Sequence, residues 1–147
     1  MSCFLLRNQQ LNDIQLRMKE GITIFIADDD EDDKELFIRS AKEVNRSISF
    51  VTASDGQEAM RLLKDERNLV PDYIFLDLRM PRISGQQCLE EITKDERLQR
   101  IPVFIYTTSK DVRESIELKK RGAVRFITKP DHPDDIYYIL SVVLNEK

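Results

Sequence analysis

Asp28 and Asp29 directly follow a β-branched and aromatic run, Ile22 to Ala27. Asp77 lies behind Ile74-Phe75-Leu76, Thr107 behind Ile101 to Tyr106, and Lys129 behind Val124 to Thr128, with Pro130 after it. If these apolar runs are parallel strands, their carboxyl ends meet at one edge. Separate stretches of chain then deliver three carboxylates, a hydroxyl and an ammonium to one crevice. Carboxylates crowded together repel, by about 4 kcal/mol per pair at roughly 4 Å and an effective dielectric near 20. A hard divalent cation relieves that repulsion. Mg²⁺ takes oxygen ligands, prefers octahedral geometry and completes its shell with waters or phosphoryl oxygens. Lys129 supplies a second positive charge near Asp77, and the Thr107 hydroxyl can donate to an anion. The set is suited to holding a phosphoryl group on or beside Asp77.

Each residue taken singly also has a plain structural reading. An acid ending an apolar strand can simply begin a turn, and Lys129-Pro130 can be an ordinary strand exit. For Asp30, Glu31, Asp32 and Asp33 the structural reading is preferred: a solvated loop and a helix N-terminus, where the dipole favours acids. It is the ordered combination of Asp28, Asp29, Asp77, Thr107 and Lys129 that points to chemistry.

The elements that must position these residues alternate in type. Strands are expected over Ile22–Ala27, Ile48–Ala53, Tyr73–Leu78, Ile101–Tyr106 and Val124–Thr128. Helices are expected over Lys34–Val44, after Asp55, and over Ser84–Glu96, Val112–Lys120 and Asp134–Leu144. Asp55-Gly56-Gln57-Glu58 reads as a capping box, with Asp55 as N-cap. Gly122 stands just past a helix end, where the left-handed conformation costs glycine little. Strand–helix alternation implies right-handed crossovers and a parallel sheet covered on both faces. The expected fold is a doubly wound α/β sandwich of five strands and five helices. In the flavodoxin-like order 2-1-3-4-5, the crevice lies between strands 1 and 3, at their carboxyl ends.

Composition narrows the remaining possibilities. The 147 residues suit one domain, and 41% hydrophobic with 34% charged residues can fill one core and keep the surface polar. A net charge of −4 argues against nucleic acid as the main partner. No apolar run approaches the ~20 residues a membrane span needs, and Phe4-Leu5-Leu6 is too short for a signal-peptide core. The expectation is a cytoplasmic protein. Cys3 and Cys88 form no CxxC pair and read as reduced thiols, and His132 reads as a solvent-facing loop residue. Residues 1–20 read as a leader or added helix, since Leu11, Ile14 and Met18 fall at helical spacing in a thin stripe. An extension from an upstream start, ahead of Met18-Lys19-Glu20-Gly21, is the third reading.

From Gly21 to Lys147 the sequence resembles the receiver domains of two-component response regulators, the CheY-like family. The matching motifs are Ile24-Phe25-Ile26-Ala27-Asp28-Asp29-Asp30, Asp77-Leu78-Arg79-Met80-Pro81 with Gly85, Pro102 to Thr107, and Phe126-Ile127-Thr128-Lys129-Pro130. The resemblance implies that Asp77 accepts phosphate from a phosphohistidine on a sensor histidine kinase or a histidine phosphotransfer protein. Asp29, Asp77 and the backbone carbonyl of Arg79 would ligate Mg²⁺ directly, with Asp28 holding a metal-bound water or orienting the metal. Thr107 would hydrogen-bond the phosphoryl oxygen, and Lys129 would pair with Asp77 or the phosphate. Phosphorylation would draw Thr107 inward and Phe126 into the space left, reshaping the face of the fourth helix, fifth strand and fifth helix. Many relatives carry Tyr at the Phe126 position, so a hydrogen bond through that hydroxyl is lost here. Arg79, the acidic turn Asp131 to Asp135 and the leader also depart from the family pattern.

Such a domain catalyses its own phosphorylation and dephosphorylation and is not a dedicated enzyme. No DNA-binding or catalytic domain follows Lys147, so output is expected through a downstream protein target or a homodimer, without nucleic acid or membrane. Two rival functions compete with this one. A phosphatase resembling the haloacid dehalogenases would use the D-x-D pattern of Asp28-Asp29-Asp30, but Asp32 stands where that family has Thr or Val, and Asp77 would have no role. A binding module that is never phosphorylated would not need the full acid pocket, Thr107 and Lys129.

Overall fold

The computed structural model describes residues 21–145. The leader, its three readings and Cys3 lie outside the described residues. Five strands and five helices alternate: β1 (Thr23–Ala27), α1 (Glu31–Val44), β2 (Ser49–Ala53), α2 (Gly56–Lys64), β3 (Tyr73–Leu76), α3 (Gly85–Lys94), β4 (Val103–Thr107), α4 (Val112–Lys120), β5 (Arg125–Thr128) and α5 (Pro133–Asn145). The sheet is parallel throughout, in the order β2-β1-β3-β4-β5, as the alternation predicts.

The central strands β1, β3 and β4 are covered on both sides, whereas β2 and β5 form the edges of the sheet. Alternate residues along a strand point to opposite faces, and this divides the core into two layers. Phe25, Ala27, Ile74, Leu76, Val103 and Ile105 face α2, α3 and α4, where they meet Met60, Leu63, Leu89, Ile92 and Leu118. Ile24, Ile26, Phe75, Phe104 and Tyr106 face α1 and α5, where they meet Phe37, Ile136 and Leu140. Phe75 stacks on Phe104 with ring centroids 4.9 Å apart, and Phe37 meets Phe75 edge-on at 4.8 Å. Each such side chain removed from water contributes about 1.5–3 kcal/mol. β4 begins only at Val103, since Pro102 has no N–H for the ladder.

Caps, rather than apolar periodicity, decide where the helices begin. The Asp30 side chain accepts from the Asp33 N–H at 3.1 Å, so α1 starts at Glu31, three residues before the expected Lys34. Asp55 caps α2 by accepting from the Glu58 N–H at 2.7 Å. The return arm of that capping box is displaced: Glu58 accepts from the N–H of Ser54, the residue before the cap, at 3.2 Å. Ser84 and Gln87 form a complete reciprocal box at the start of α3. Gly122 follows α4 with φ 120°, in the left-handed region. Its neighbour Ala123 donates back to the Leu118 carbonyl at 3.0 Å.

Candidate functional site

Three residues stand just beyond strand ends and are held there by their own backbone N–H groups. Asp28 donates to the Ala53 carbonyl at 3.0 Å, Asp77 to the Ala27 carbonyl at 3.0 Å, and Lys129 to the Thr107 carbonyl at 2.6 Å. Each bond extends a parallel ladder by one step, so the side chains leave the sheet along one edge, around the junction of β1 and β3. This is the switch point at which the strand order reverses.

The acids converge there. One carboxylate oxygen from each of Asp28, Asp29 and Asp77 lies within 4.8 Å of the others. Asp28 is 1% exposed, Asp77 is 8% exposed, and Asp29 faces solvent. The Lys129 ammonium is 2.6 Å from Asp28 Oδ2, 2.9 Å from Asp33 Oδ2 and 3.2 Å from Asp77 Oδ2. The contact with Asp28 Oδ2 is a charge pair rather than an aligned hydrogen bond, and this buried oxygen has no hydrogen-bond partner. Asp28 Oδ1 accepts from the Asp30 N–H at 2.9 Å.

Burial raises the Asp28 carboxyl from its ordinary 3.8 to about 6; the close contact with Lys129, the Asp30 N–H and the Lys129 charge oppose the rise, and the charge of Asp77 adds to it. Burial also acts to lower the Lys129 pKa, but its close contacts with Asp28 and Asp33 and the charges of Asp28 and Asp77 outweigh it, and the net shift is upward. The ammonium therefore stays charged as the counter-ion of an otherwise all-acid site. Three hard oxygen donors within reach of one point, one of them buried without a hydrogen bond, fit a small divalent cation.

The other residues singled out from sequence differ in their placement. Thr107 is buried at the end of β4, in register with Thr128 of β5, the residue before Lys129. Phe126 is half-buried and packs against the core layer under α2 to α4. Arg79 is exposed two residues past Asp77, and its guanidinium is 4.0 Å from the Glu114 carboxylate on α4. Gly85 brings the start of α3 against the Asp77 main chain: its N–H donates to the Leu78 carbonyl at 2.9 Å. His132 is exposed, and Cys88 is buried with its thiol pushed up to about 12, chiefly by burial.

Sequence reasoning missed two neighbours of the site. Asp33 is expected from sequence as a solvated first-turn acid, yet its carboxylate contacts Lys129. The helix starts earlier than expected, and this turns the third residue of its first turn toward the sheet edge. Tyr106, 3% exposed, places its ring 5.7 Å from the Lys129 ammonium. Strand alternation places Tyr106 on the α1 and α5 face, and that was the available signal.

The chain belongs to the response regulator receiver domain family, whose model matches residues 24–141. It is a receiver domain of two-component signalling. A probable transcriptional regulator, ycf27 of Guillardia theta, is 33% identical over 135 residues, covering 90% of this chain and 48% of that protein. Protein PilH of Pseudomonas aeruginosa is 27% identical over 115 residues, covering 78% of this chain and 93% of that protein. The chain thus spans about half the length of the first and nearly all of the second. Among solved structures, the phosphorylated cyanobacterial phytochrome response regulator RcpA superposes with a TM-score of 0.77 at 29% identity, over 83% of this chain and 90% of that one. The Mn²⁺-bound form of response regulator Rcp1 gives 0.72 at 26% identity, over 83% and 91%. Among the described residues no helix is long and apolar enough to cross a membrane.

Proposed function

We propose that this receiver accepts a phosphoryl group on Asp77 from a phosphohistidine, in a Mg²⁺-dependent step, and thereby switches a protein-interaction surface. The single observation that carries the reading is the meeting of Asp28, Asp29 and Asp77 within 4.8 Å, with Lys129 in contact with two of them. The relatives lend support: of two solved neighbours, RcpA is phosphorylated and Rcp1 is Mn²⁺-bound.

Asp29, Asp77 and the Arg79 carbonyl would hold Mg²⁺, with Asp28 orienting it. Bound there, the ion neutralises charge that develops on the phosphoryl oxygens. The chain does the rest by positioning. Asp77 presents a carboxylate oxygen as nucleophile; the bond to the donor histidine nitrogen breaks as the aspartyl bond forms. Lys129 pairs with a phosphoryl oxygen. Thr107, drawn toward that oxygen, vacates room that Phe126 fills, and the α4–β5–α5 face changes with it. The donor would be a sensor histidine kinase or a histidine phosphotransfer protein, and the output a protein target or a second copy of the domain. Family membership leaves the phosphatase reading without support.

Incubation with Mg²⁺ and acetyl phosphate, followed by intact mass and peptide mapping, tests this. One phosphoryl group is expected on Asp77, absent without Mg²⁺ and absent in Asp77→Asn. No added mass from acetyl phosphate, together with no response to beryllofluoride, would sink the reading.

A further inference from the structure

Asp33 touches the Lys129 ammonium at 2.9 Å, but it is not one of the three acids whose oxygens converge within 4.8 Å. That difference matters once a cation competes with the lysine. An ammonium has three N–H donors and no acceptor. Here three carboxylates surround it, those of Asp28, Asp33 and Asp77. Two of them belong to the acid cluster that fits a divalent cation. When the cation takes those two, Lys129 loses their full charge and gains a repelling neighbour. Its side chain is only 8% exposed, so water cannot replace what is lost. Asp33 is the carboxylate that remains.

We propose that Asp33 is a positioning residue: it holds Lys129 in place while the cation occupies the other acids, and so reduces the competition between ammonium and metal. The inference rests on the Mg²⁺ reading above. The first turn of α1 is anchored for this task. Asp30 caps it through the Asp33 N–H. Lys34, buried, donates to Glu31 within the same turn at 2.7 Å and to Ser54, just past β2, at 2.9 Å, and Ser54 in turn donates to Glu31 at 2.9 Å. Asp33 therefore sits on a braced turn rather than a loose loop.

Without Asp33, Lys129 would bind Asp28 and Asp77 alone and contest them with the metal. Calorimetric titration of the full chain with MgCl₂, with no phosphodonor, reads this directly. Asp33→Asn is expected to weaken Mg²⁺ binding by about two- to fivefold, the range a partly exposed charge pair supports. Asp33→Ser, which also suits a first helical turn, is expected to do the same. In a Lys129→Met background the loss should shrink toward none, because the residue acts through the lysine. Unchanged affinity in Asp33→Asn, or an equal loss with and without Lys129, overturns the inference while leaving the Mg²⁺ reading standing. Absence of Mg²⁺ binding by the unaltered protein overturns both.

Discussion

Gly85 packs its α-carbon against the main-chain carbonyl of Asp77, so closely that a Cβ there would lie 2.2 Å from that oxygen. The first residue of α3 and the candidate acceptor are thus in direct backbone contact. The clash would be with main chain and not with a flexible side-chain end, so the loop carrying Asp77 or the helix must move. Gly85→Ala is expected to cost about 1–3 kcal/mol of stability, measured by urea denaturation. It should also slow phosphoryl acceptance, since the displaced loop is the one that aims Asp77. A variant with unaltered midpoint and rate would show that the contact relaxes freely.

Lys129 is the cation inside a ring of acids. Lys129→Met leaves Asp28 buried at 1% exposure with no counter-charge. Removing one partner of a buried pair costs about 3–5 kcal/mol. The expected result is a lower thermal midpoint without metal and a larger gain on adding MgCl₂ than the unaltered protein shows. Asp29→Asn is the contrasting change. Asp29 is exposed, so the metal-free stability should change by no more than about 0.5 kcal/mol, while the Mg²⁺-dependent gain falls.

The pH dependence of stability without metal follows from Asp28. Its carboxyl is raised from 3.8 to about 6 in the folded protein, chiefly by burial. Between those values the folded state binds more protons than the unfolded chain, so the contribution of this group to stability falls as pH rises. It is fully favourable below about pH 4 and lost by the time pH has passed through about 6. Chemical denaturation of the unaltered protein and Asp28→Asn across this window should show the decline only in the former. Parallel profiles would remove Asp28 as its source.

Much of the fold is legible in the order of residues because periodicity and burial coincide. Ile24, Phe25 and Ile26 are all buried, as a strand covered on both faces requires, and the five-fold alternation of strand and helix leaves few topologies open. Boundaries were less legible. Capping bonds are local but do not follow the apolar stripe, so α1 begins at its Asp30 cap and not where Leu36 and Phe37 announce it.

Residue order alone settles which side chains end the strands: Asp28, Asp77 and Thr107 each close an apolar run, and Lys129 precedes a proline. Ends of parallel strands share an edge, and this local fact becomes a convergence. The partnership of Lys129, by contrast, arises from packing. Its ammonium reaches Asp33, 96 residues away in the chain, as well as Asp28 and Asp77. No local pattern encodes that contact. It exists because β5 and α1 emerge at the same edge, and because a buried cation takes whichever carboxylates the packed helices bring within reach.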